Sequence, residues 1–225
     1  MNIFWRGQSC FEIIANPVKN GQVKIVIDPY SQEIGLKPPK MEADIVLTTH
    51  SHYDHNNLGA VSGSPFVIDG PGEYEVKEIY IRGITSFHDS KEGAERGQNT
   101  IYVIEAEDLK ICHLGDFGQK ELTDEQLEKI GEVDILMIPV GGVYTISAAE
   151  ASKIMSQIEP KITIPMHYQL PKLTLRRGSG PEVKLDGVDK FLKALGVKSL
   201  ASEPKLSVKK KDISQDEAKI VVLEP

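Results

Sequence analysis

Residues 50–55 read His-Ser-His-Tyr-Asp-His, four side chains able to ligate a cation within six positions, directly after the apolar run 44–49. This hexapeptide constrains the architecture more than any other stretch. Three of the six histidines lie in it, a clustering that a random scatter of six along 225 residues rarely gives. Where a chain leaves a strand, alternate side chains point to the same side, so His50 and His52 can reach one cation. Asp54 and His55 come after the chain begins to turn and can face a second cation beside the first. Borderline metals such as zinc take imidazole nitrogen and carboxylate oxygen at ~2.0–2.2 Å. A satisfied core or surface role explains any one of these histidines better than it explains the group.

Four side chains do not complete two metal shells, so the remaining ligands must arrive from later in the chain. His88, Asp116 and His167 each stand at or just after the end of a strand-like run. If those ends share one edge of a sheet assembly, all seven converge, and strand-end loops are where layered α/β structures build their sites. His113, three residues before Asp116, reads as a buried structural histidine or one that orients a ligand such as Asp116 by a hydrogen bond.

The pattern elsewhere agrees with such an assembly. Residues 3–6, 10–15 and 23–28 alternate apolar and polar positions, the period of strands, with Asn20-Gly21 as a turn before the third. Further strands are expected at 44–49, 65–68, 73–84, 99–105 and 109–114, with a short helix starting within 56–61. The second half switches to helices alternating with strands. Thr123 with Gln126 and Ser147 with Glu150 form capping boxes for two helices, one ending before Gly131 and one before Pro160. Strands are expected at 134–140 and 162–166, and a third helix at 188–195. Residues 171–187 read as a long loop over one end of the molecule. Two last strands, 206–208 and 219–223, are expected at a sheet edge where Lys209–Lys211 form a solvated run that discourages further pairing.

Composition sets outer limits. A chain of 225 residues with 40% hydrophobic and 26% charged side chains can bury one core, and one domain over 1–225 is expected. The net charge of −7 argues against a general grip on nucleic acid. Residues 1–6 are strand-like rather than signal-like, and no run approaches the ~20 apolar residues of a membrane span. Cys10 and Cys112 lack a C-x-x-C spacing and read as buried free thiols. A cytoplasmic location, without membrane partners, is the expectation.

With these residues in place the sequence resembles the metallo-β-lactamase superfamily, whose signature is H-x-H-x-D-H followed by a His, a bridging Asp and a last His. Residues 49–55 match the first element, His88 the second, Leu114-Gly115-Asp116 the third and Ile164-Pro165-Met166-His167-Tyr168 the fourth. Within the superfamily it is most similar to compact metal-dependent hydrolases of the ascorbate-6-phosphate lactonase-like group. The resemblance implies an α+β fold, a four-layer αββα sandwich with metals in a groove at one edge. It also implies His50, His52 and His88 on one metal, Asp54, His55 and His167 on the other, and Asp116 between them. No cysteine ligand is present, which argues against antibiotic hydrolysis, and His52 argues against diiron redox chemistry.

The chemistry expected of such a centre is hydrolysis by a metal-bound hydroxide, since divalent ions lower the pKa of bound water toward ~7. Asp54 is the expected catalytic carboxylate, orienting the nucleophile. Zinc is the default for the two divalent ions, and manganese or iron suit the same donors. The expected substrate is a small molecule with an ester, lactone, amide or phosphoester bond. An RNA or nucleotide phosphodiesterase and a non-catalytic metal-retaining binding protein are the alternatives, and a homo-oligomer is left open. Candidate substrate contacts are Tyr144 and the Gly141–Thr145 amides, Tyr168, Arg176 and Arg177. Each has an ordinary competing role: a tight turn for the glycines, a packed aromatic for Tyr168, and solvent-facing charge for the arginines.

Overall fold

A computed structural model describes the chain except at residues 18, 20, 177–179, 215 and 216. The turn expected at Asn20-Gly21 and the candidate Arg177 therefore fall, in part or whole, outside the described residues. In chain order the strands begin with β1 (Asn2–Trp5), β2 (Phe11–Ala15), β3 (Val23–Ile27), β4 (Met41–Glu42), β5 (Ile45–Leu47) and β6 (Val61–Ser62). They continue with β7 (Phe66–Ile68), β8 (Gly72–Val76), β9 (Ile79–Phe87), β10 (Gln98–Ala106), β11 (Leu109–His113) and β12 (Ile135–Pro139). The last are β13 (Ile162–Met166), β14 (Leu175–Arg176), β15 (Glu182–Val183), β16 (Leu206–Ser207) and β17 (Lys219–Ile220). The α-helices are α1 (Asp124–Ile130), α2 (Ala148–Ile158) and α3 (Val188–Ala194).

Two mixed sheets carry the fold, one ordered β16-β1-β2-β3-β5-β7 and the other β17-β13-β12-β11-β10-β9-β8. In β2, Phe11, Ile13 and Ala15 are buried while Glu12 and Ile14 are only partly so, the period-two pattern of a strand with one face on the core. β12 and β13 are buried at every position, as strands between two covering layers must be. Helices α1, α2 and α3 supply the outer cover, α2 packing on α3 and α1 on β9. The result is the α+β sandwich.

Both capping boxes form as the sequence requires: Thr123 and Gln126 open α1, and Ser147 and Glu150 open α2. Elsewhere the boundaries shift for identifiable reasons. The strand expected over 73–84 is two strands joined at Lys77-Glu78, whose φ angles of 52° and 64° make a two-residue turn without the usual Asn-Gly signal. The helix expected from residue 56 is one 3-10 turn, Leu58–Ala60; the Asn57 amide donates to the Tyr30 carbonyl (3.0 Å) instead of capping. The loop at 171–187 contains the small ribbon β14-β15. The lysine run is not wholly solvated, because Lys210 Nζ lies 2.8 Å from both carboxylate oxygens of Asp134.

Strand direction is what positions the site. β3 and β5 are parallel, as are β11, β12 and β13. β9 is antiparallel to β10, which is antiparallel to β11, so β9 runs with β11. The C-terminal ends of β9, β11, β12 and β13 therefore share one edge, and those of β3 and β5 share another that meets it. Asp28, residues 50–55, His88, Asp116, Gly141 and His167 each lie just beyond one of these ends. No helix is long and apolar enough to cross a membrane among the described residues.

Candidate metal centre

The seven candidate ligands converge in two groups. His50, His52 and His88 form one; Asp54, His55, Asp116 and His167 form the other, with the ligand atoms of each group within 4.8 Å of one another. In the first, His50 Nε2 and His52 Nδ1 are 3.0 Å apart, near the roughly 3.3 Å that separates neighbouring ligands around a tetrahedral zinc. Asp116 ties the groups together: its Oδ2 stands 3.2 Å from Nε2 of His55, of His167 and of His88. One carboxylate oxygen thus faces donors of both sets.

The imidazoles are oriented from behind. Buried Asp28 accepts from the Thr49 amide and hydroxyl (both 2.8 Å) and from His55 Nδ1 (2.9 Å). Since the Thr49 hydroxyl gives its only proton to Asp28, it accepts from His50 Nδ1 at 3.0 Å. Both rings thereby turn Nδ1 away from the cluster and Nε2 toward it, the arrangement that metal-ligating histidines use. Neither Nε2 of His55 nor Nε2 of His167 has a hydrogen-bond partner among the described residues, although both are buried. An unpaired buried polar atom costs about 1–3 kcal/mol, so adjacent ones facing carboxylates point to a partner of another kind. Divalent cations fit this donor set of imidazole nitrogens and carboxylate oxygens.

The tight turn at residues 7–10 forms the floor. Gln8 donates through Nε2 to Asp54 Oδ2 (3.1 Å), and Ser9 donates through Oγ to Asp116 Oδ1 (3.2 Å). The Gln8 carbonyl accepts from Trp5 Nε1 and from the His167 amide. His113 does not bond Asp116 directly: its Nδ1 accepts from the Gly115 amide (3.1 Å) and its Nε2 donates to the Ser9 carbonyl (3.0 Å). Asn99 completes the setting, its Oδ1 accepting from the Asp116 amide at 2.9 Å.

Proton affinities follow from this crowding. Burial alone would make His55 a weak base, but Asp116, Asp54 and Asp28 outweigh it and raise its pKa well above the ordinary 6.5. Burial opposes ionisation of Asp116 and Asp54, yet the neighbouring imidazoles hold both below the usual carboxylate range. Burial, then the adjoining imidazoles, depresses His50 and His52; burial likewise depresses His113.

A groove of about 420 Å³ opens over His52, Asp54, His88, Asp116 and His167. Its walls include Tyr53, Arg96, Tyr144, Leu175 and Arg176. A larger cleft, about 840 Å³, lies at the opposite edge among Glu105–Lys110 and Glu132–Asp134, remote from every candidate ligand. Two expected contacts change. Tyr168 is a core aromatic, 5% exposed, with its ring 4.8 Å from that of Trp5. The Gly141–Thr145 segment is a tight turn: the amides of Gly142, Tyr144 and Thr145 bond carbonyls within residues 142–146.

The beta-lactamase superfamily domain matches residues 2–167 of this sequence. The chain belongs to the metallo-β-lactamase superfamily. A relative from Thermococcus onnurineus, named a UPF0173 metal-dependent hydrolase, is 31% identical over 192 residues, covering 72% of this chain and 82% of the relative. One of the same name from Staphylothermus marinus is 30% identical, covering 74% and 82%. A crystal structure from Thermotoga maritima, described as a candidate Zn-dependent hydrolase of the metallo-β-lactamase superfamily, is 35% identical with a TM-score of 0.75, covering 99% of this chain and 98% of that one. This superfamily member is accordingly a metal-dependent hydrolase by descent.

Sequence reasoning passed over Asp28, Gln8, Ser9, Asn99 and Arg96. Asp28 carried a usable signal: it ends an apolar strand, as Asp116 follows one. Gln8, Ser9 and Arg96 act from turns and loops whose course no local pattern reveals, and Asn99 acts from within β10, where nothing local sets it apart from its neighbours.

Proposed function

We propose that this metallo-β-lactamase superfamily member is a binuclear hydrolase adding water to a small ester, lactone, amide or phosphoester in the cytoplasm. The reading is carried by Asp116 Oδ2, equidistant at 3.2 Å from imidazoles of both ligand groups. His50, His52 and His88 would hold one cation, Asp54, His55 and His167 the other, and Asp116 both. Zinc is the first choice, with manganese and iron suited to the same donors. When bound, the cations supply Lewis acidity and bring the pKa of water toward ~7.

The chain's own groups do the rest. Asp54 is anionic at neutral pH, and Gln8 fixes one of its oxygens. Its other oxygen accepts a hydrogen bond from the attacking water and aims it at the scissile carbonyl or phosphoryl centre. Asp28 and Thr49 keep the imidazoles aligned, so little reorganisation accompanies the reaction. Arg96, Tyr144 and Arg176 orient the substrate from the groove wall.

Metal analysis of purified protein, joined to a screen of lactone, thioester and phosphodiester substrates, tests the proposal. Two equivalents of metal and a turnover abolished by Asp54→Ala combined with His52→Ala are expected. Activity surviving that double substitution overturns it.

A further inference from the structure

We propose that the groove takes substrates bearing an anionic group, carboxylate or phosphate, away from the scissile bond, and that Arg96 with the Tyr144 hydroxyl receives it; this rests on the hydrolase reading above. Arg96 occupies the far end of the loop that begins at the candidate ligand His88. That loop is closed by a bond from the His88 amide to the Gly97 carbonyl (3.1 Å). Inside it, the Asp89 carboxylate accepts from four amides, those of Lys91, Gly93, Glu95 and Arg96, at 2.8–3.0 Å. The backbone under Arg96 is thereby fixed relative to the metal centre.

The side chain is fixed as well. The Arg96 guanidinium carbon lies 4.4 Å from the centre of the Tyr144 ring, a cation–π contact that holds the planar fork against the groove wall. Yet it has no ion-pair partner among the described residues, whereas Arg6 pairs with Glu12 and Arg82 with Glu73. In a chain with 33 acidic against 26 basic residues, a preorganised arginine without a carboxylate is a site kept open. Its stacking partner repeats the point: the Tyr144 hydroxyl is buried and has no hydrogen-bond partner among the described residues. Both residues line the groove, whose acidic members among the described residues, Asp54 and Asp116, face the metal donors. A planar fork and an adjacent phenol suit the oxygens of a carboxylate or phosphate.

A matched ester pair tests this on metal-loaded protein. Mono-4-nitrophenyl glutarate, carrying a remote carboxylate, should exceed neutral 4-nitrophenyl butyrate in kcat/KM. Arg96→Gln should cut that ratio by about 10- to 100-fold, the worth of a charge-assisted contact, with Arg96→Lys intermediate and Tyr144→Phe a smaller loss through KM. Calorimetry with glutarate and with inorganic phosphate forms a second arm that needs no turnover, and the tighter of the two identifies the anion. If neither ester is cleaved but an anion binds wild type and not Arg96→Gln, the hydrolase reading fails while the anion site stands. An ester ratio unmoved by Arg96→Gln, binding equal in both proteins, binding of neither anion, or phosphate binding lost only on chelation overturns the proposal.

Discussion

Asp28 Oδ2 lies 2.9 Å from His55 Nδ1, at the end of a strand that supplies none of the candidate metal ligands. The same oxygen accepts from the Thr49 hydroxyl, which in turn receives His50 Nδ1, so one carboxylate aligns an imidazole of each ligand group. Asp28→Asn offers one acceptor oxygen where three donors converge and turns an amide toward the Thr49 N–H. Metal affinity should fall about 10- to 100-fold, the usual effect of losing such a partner. A chelator-competition titration measures it, with circular dichroism to check the fold; unaltered affinity in a folded variant refutes the assignment.

The metal-free protein should be most stable near neutral pH. His55 has a folded pKa raised well above the unfolded value of about 6.5, so its contribution is complete below about 6.5 and is lost as pH climbs through the folded value. His50, His52 and His113 are shifted down, so they act in the opposite sense: the unfolded chain gains protons below about 6.5 that the folded one refuses. Asp54 and Asp116, also depressed, add a further loss as pH falls through their folded values. Urea unfolding of chelator-treated protein from pH 5 to 9 should trace a dome. A monotonic rise across that range contradicts the His55 shift.

Gln8 touches no expected substrate but donates 3.1 Å to Asp54 Oδ2. Gln8→Ala removes that donor and should lower kcat about 10-fold, within the range for lost outer contacts, while KM moves little. Its backbone φ of 52° is left-handed, so Gln8→Asn is the control: asparagine tolerates that region but its shorter amide does not reach Asp54. Equal losses in KM and kcat would point to substrate contact instead.

Much of this was legible in the residues. The 50–55 segment, the strand-end placement of His88, Asp116 and His167, and both capping boxes are local patterns with local physical causes. What escaped were groups whose role depends on distant neighbours. Gln8 and Ser9 sit in a turn between two ordinary strands and become part of the site only because the two sheets meet there. Tyr168 adjoins a candidate ligand, yet it follows His167, whose φ of 51° marks a local departure from the extended strand, and its ring packs tilted against Trp5 in the core. The turn at Lys77-Glu78 was hidden because its left-handed residues are neither glycine nor asparagine.

Gly115 is the position where local backbone geometry and the site are most tightly joined. Its φ is +59°, and a Cβ there would fall 2.3 Å from Asn99 Oδ1 and 2.8 Å from Thr49 Cβ. Asn99 cannot retreat cheaply: its Oδ1 holds the Asp116 amide, and its Nδ2 donates to Ser86 Oγ and to the Leu114 carbonyl. Thr49 is equally committed, to Asp28 and His50. Gly115→Ala therefore combines left-handed strain with overpacking, about 2–4 kcal/mol together. Because the displaced atoms support Asp116 and His50, metal affinity should fall with stability. Denaturant unfolding of metal-free protein gives the first quantity and chelator competition the second; a variant destabilised by less than about 1 kcal/mol that binds metal normally would show that the neighbours yield without disturbing the centre.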